Sequence, residues 1–61
     1  MSFIYVVYDV GESVVVGCFD SFLKAHEFAK QEFEPDDVMI YCEKLNVPHP
    51  IGVDNKNVMN L

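Results

Sequence analysis

The chain has 61 residues, with ten Asp or Glu against four lysines, no arginine and a net charge of −6. This length holds one small domain, near the size at which a single core barely suffices. The shortage of cations argues against direct nucleic-acid binding, which needs clustered positive charge, and an apolar fraction of 51% argues against disorder.

The first element is Phe3–Val10, FIYVVYDV, and the second Ser13–Phe19, SVVVGCF; both are rich in β-branched and aromatic residues. The Gly11-Glu12 pair between them suits a two-residue type II′ hairpin. That turn pairs Val10 with Ser13, Tyr8 with Val15, Val6 with Gly17 and Ile4 with Phe19. Phe3, Tyr5, Val7, Val14, Val16 and Cys18 then share the opposite face. Both faces are largely apolar, so both need a cover.

A helix is expected over 21–33, opened by Asp20 or Ser21 as cap. Phe22, Ala25, Ala29 and Phe33 form its apolar stripe, and Lys24, Glu27, Lys30 and Gln31 its solvated face. Glu27 and Lys30 are spaced for a weak attraction. Phe28 lies about 100° off the stripe, where it packs on the sheet's edge or meets a partner. Pro35 and Asp36 stop the helix. A third strand follows at 37–45, alternating Val38, Ile40 and Cys42 with Met39, Tyr41 and Glu43.

A right-handed strand–helix–strand crossover is satisfied when the first, most apolar strand lies between the other two. The expected fold is therefore α+β: a three-stranded antiparallel ββαβ sheet in order 2-1-3 with the helix on one face. It spans residues 1–47, leaving 48–61 as an extended C-terminal tail. Segment 46–51, with its Pro-His-Pro, is expected to order against the domain, and much of 54–61 to be mobile.

No cationic segment precedes the first apolar run, so no signal peptide is expected, and FIYVVY is too short to cross a bilayer. A cytoplasmic protein with free thiols is expected. Cys18 and Cys42 lie two strand spacings apart, about 10 Å, too far for a disulfide. Cys18 reads as a small buried apolar thiol, because nothing orients His26 or His49 as a base to activate it. His26 reads as a boundary residue of the helix stripe and His49 as exposed. Glu32, Glu34, Asp36 and Asp37 cluster at the helix exit without calcium-loop spacing, and read as a solvated acidic loop. No phosphate loop, nucleophile elbow or zinc-protease motif is present, and so short a chain has little room for a water-excluding pocket. No enzyme activity, cofactor or metal is expected.

The run Ala25-x-x-Phe28-Ala29-x-x-x-Phe33-x-Pro35, leaving one strand and entering another, resembles the T7-type phage inhibitors of host RNA polymerase. More loosely, the chain looks like the small hairpin–helix–strand proteins of tailed phages. The resemblance implies a small acidic domain that binds and blocks a larger host protein, within the host cytoplasm.

The leading expectation is thus a non-enzymatic interaction protein that inhibits or modulates a larger host protein with a basic surface. Its contacts are expected from Phe3, Tyr5, Val7, Phe28 and Tyr41 around the uncovered sheet face, steered by Asp36 and Asp37. Periodicity leaves open which face the helix covers. If it covers Ile4, Val6 and Phe19, then Phe3, Tyr5 and Val7 are exposed; the opposite choice exposes Val6, Tyr8 and Val15. The alternatives are a self-assembling accessory protein that dimerises through its open face, or an acidic mimic of nucleic acid.

Overall fold

In the computed structural model, residues 2–49 and 51 are described, together with the backbone of residues 58–59. Strand β1 (Phe3–Asp9) pairs antiparallel with β2 (Val14–Phe19) on one side and with β3 (Val38–Lys44) on the other. This is the three-stranded sheet in order 2-1-3, with one helix, α1 (Phe22–Glu32), expected from the apolar pattern. A two-residue strand, β4 (Val58–Met59), adds a fourth member beyond β3. Residues 48–61 had been expected as irregular tail, and these two pair with Ile40 and Tyr41 instead. Apart from that backbone, the mobility expected for 54–61 falls outside the described residues.

The hairpin differs from the expected one in two linked ways. Its turn takes four residues, Val10–Ser13, so Asp9 and Val14 form the last pair and Val10 and Ser13 do not pair. Ser13 takes the left-handed φ of 56°, and the Asp9 carboxylate accepts the Glu12 amide at 3.3 Å. Tyr8 opposes Val15 as expected, but a bulge then lets β2 skip Val16, so that Val7 opposes Gly17, Val6 opposes Cys18 and Tyr5 opposes Phe19. One extra residue reverses the facing of everything after it on β2.

Helix α1 starts at Ser21, whose extended backbone (φ −143°, ψ 147°) lets its Oγ accept the Lys24 amide at 3.1 Å. It ends at Phe33, whose amide reaches the Ala29 carbonyl at 2.9 Å before a 3₁₀ turn over Pro35–Asp37 leads into β3. Ala25 and Ala29 are fully buried; without long side chains they bring the helix close to the sheet. Val7 and Ile40, a cross-strand pair, fill the space beneath. Each such burial stabilises the fold by roughly 1.5–3 kcal/mol. Aromatic rings close both flanks: Phe22 stands edge-on to Tyr5 (centroids 6.1 Å apart), and Phe28 lies between Phe19 (5.4 Å) and Phe33 (6.3 Å).

Candidate interaction surface

The helix settles which face is covered. Tyr5 and Val7 point to it, so by strand alternation Ile4, Val6 and Tyr8 point away. Cross-strand partners share a face, which adds Glu43, Tyr41 and Met39 from β3, and Val15 and Cys18 from β2. Tyr8 and Tyr41 meet edge to face at 6.1 Å, and the Tyr41 hydroxyl donates to the Met39 sulfur at 3.3 Å. Val15 remains 51% exposed and Met39 38%, since no described element lies over them. At the far end of this face Glu43 holds His49, with Nδ1 and Oε1 3.3 Å apart, which ties down the start of the tail. Two backbone bonds reinforce that end, from the Leu45 amide to Ser2 and from the Val47 amide to Lys44.

The structure therefore corrects part of the expected contact set. Val7 is fully buried under the helix and Tyr5 is packed on Phe22, so neither lines the open side. Phe3, at the start of the strand, belongs to the same side by alternation and is 44% exposed there. Phe28 is enclosed by Phe19 and Phe33 at the β2 edge. Of the apolar residues expected at the surface, Tyr41 alone stands on the open face. Ile4, Val6, Tyr8, Val15 and Met39 take the places of the others; their alternation was readable, but not their side.

Cys18 is also corrected: it is exposed on the open face, because the bulge turned it outward and brought Phe19 in. Cys42 is half-buried on the helix side, and both are free thiols. His26 is half-buried at the margin of the helix's apolar stripe, 5.5 Å from the Phe22 ring. The surface ion pair of the helix is Lys24 with Asp20, at 2.9 Å, rather than the pair anticipated between Glu27 and Lys30.

Asp36 and Asp37 are exposed on the 3₁₀ turn. The Asp37 carbonyl accepts the Val10 amide at 3.0 Å, which draws the helix exit against the hairpin turn. Asp9, Glu12, Glu34, Asp36 and Asp37 thus gather at one pole, and no lysine lies in either segment. Among the described residues, no three of His, Cys, Asp and Glu come together as metal ligands, and no helix is long and apolar enough to cross a membrane. No family model matches the chain, and comparison with curated proteins and with solved structures likewise found no match.

Proposed function

We propose that this chain is a small non-enzymatic interaction protein that binds a larger protein through its open sheet face and inhibits or modulates it. The observation that carries the reading is that face itself: apolar on Ile4, Val6, Tyr8, Val15, Met39 and Tyr41, and covered by no described element. Apolar surface gathered in one place and bordered by charge is the usual form of a docking site. The acidic pole at one end of the sheet favours a partner with Lys and Arg beside its own apolar patch, and would speed encounter with it. That the partner belongs to a host cell, met in its cytoplasm, rests on the resemblance to phage polymerase inhibitors.

Affinity capture from nuclease-treated host lysate tests this with two variants beside the unchanged chain. Met39→Glu places a charge in the open face, and Leu23→Glu places one on the solvent side of the helix, where Leu23 is 66% exposed. One stoichiometric protein, lost with Met39→Glu and kept with Leu23→Glu, is the expected result. The reverse pattern would move the site to the helix, and no captured protein would overturn the proposal.

A further inference from the structure

The open face offers a ligand side chains only, because the backbone of β1 is taken up by β2 on one side and β3 on the other. A strand laid over such a surface would leave its own buried amides and carbonyls unpaired, which is costly. Two kinds of segment escape that cost. A helix satisfies its backbone internally. A proline-rich polyproline II segment has few N–H groups to satisfy, and its carbonyls stay open to a donor.

The tyrosines choose between these two. Tyr8 and Tyr41 are half-buried on this face, their ring centroids 6.1 Å apart and their planes at 77°. Aromatic rings at a surface are what proline-rich ligands pack on. The Tyr8 hydroxyl bonds to no described residue, and the Tyr41 hydroxyl donates to the Met39 sulfur, a weak acceptor. A carbonyl oxygen is a better acceptor for both hydroxyls. A helix has already used its carbonyls within itself, whereas a polyproline II segment presents them free.

We propose that the occupant of the open face is a proline-rich polyproline II segment of the partner, with Arg or Lys at one end. Charge complementarity sets which end. Asp9 directly follows Tyr8, and Asp36 and Asp37 lead into Val38 and Met39, so the acidic pole adjoins the tyrosine end of the face. From Ile4 to Tyr8 the face runs about 13 Å, which about four polyproline II residues cover. The cation then falls just beyond the prolines, at the pole. This inference rests on the function proposed above and names the kind of segment that the partner contributes.

NMR titration of the full chain tests it with a synthetic proline-rich peptide ending in arginines, the same peptide ending in glutamates, and an amphipathic Leu–Lys helix. The arginine-ended peptide is expected to shift the Tyr8, Val15, Met39 and Tyr41 signals with a dissociation constant below about 1 mM. Glutamates in place of the arginines should raise that constant about fivefold or more. Tyr41→Phe, which keeps the ring and removes the donor, should raise it about threefold or more. No shifts with the arginine-ended peptide, equal affinity for the two ends, tighter binding of the helix, or full affinity in Tyr41→Phe would each overturn it. Lysate capture that Met39→Glu abolishes, beside silence towards the proline-rich peptides, would reject this inference and leave the proposed function standing.

Discussion

Val7 and Ile40 oppose each other across β1 and β3, and so do Tyr8 and Met39, one residue along. The first pair is completely buried, while the second faces outward with Met39 38% exposed. Both pairs are apolar and lie in the same two strands, so hydrophobicity does not distinguish them. What differs is the layer above. On one side Ala25 and Ala29 bring a helix into contact, and Phe19, Phe22 and Phe28 close its flanks. On the other side no described element takes that place. A sheet that is apolar on both faces leaves the covered side to be chosen by fit, and here the fit is a helix with small residues over a β-branched pair.

The largest test of this contrast is Ile40→Ala against Met39→Ala. The first should cost about 3 kcal/mol through lost transfer energy and a residual cavity, a large share of the ~5 kcal/mol expected of so small a domain. The second should cost under about 1 kcal/mol, as for an exposed position. Urea unfolding of both variants measures the difference, and equal losses would show the open face to be covered after all. A sharper probe is Gly17→Ala, at the bulge. A Cβ there would lie 2.9 Å from Cε2 and 3.3 Å from Cζ of the Phe19 ring, which Phe28 holds in place. The ring must turn, at a cost of about 1 kcal/mol. A gain in stability would mean that the ring has room and that the entropy of the glycine dominates.

The smallest effect lies on the solvated side. The Lys24 ammonium hydrogen-bonds the Asp20 carboxylate and attracts it by charge, which holds the Asp20 pKa below its ordinary value of 3.8. A lowered folded-state pKa means that the contribution is fully present above the ordinary carboxylate value and is lost as pH falls through the lowered one. Both groups are well exposed, so salt should weaken it further. NMR titration should find the Asp20 midpoint below 3.8 and return it to the ordinary value in Lys24→Met. An unchanged midpoint in that variant would assign the shift to another group.

The outline of the fold was legible because it rests on local signals. Ser21 caps a helix whose alanine stripe is spaced to meet a sheet, Pro35 follows its end, and the most apolar strand takes the centre. The facing of β2 was not legible. Gly11-Glu12 suits a two-residue turn, but the Asp9 carboxylate and the left-handed Ser13 hold a four-residue one. The bulge at Val16 then exchanged Phe19 and Cys18 between the two sides. Since side chains alternate with a period of two, a single unpaired residue is enough to move an aromatic ring into the core and a thiol out of it. The candidate surface shifted because the helix covers the side that carries Tyr5 and Val7, which moves it from Phe3, Tyr5 and Val7 to Ile4, Val6, Tyr8, Val15 and Met39, with Tyr41 common to both.

By itself the sequence determined the class of elements, their order, the capped helix and the second apolar face that one helix cannot cover. These follow from period, propensity and a count of apolar stripes, all of which are properties of short segments. Only the tertiary structure decided which side the helix covers, where Cys18 points, that the hairpin turn and the helix exit form a single acidic pole, and that β3 gains a further strand at its edge while β2 meets no described one. Those outcomes depend on pairings between residues far apart in the chain, where one bulge or one turn residue redirects every side chain beyond it.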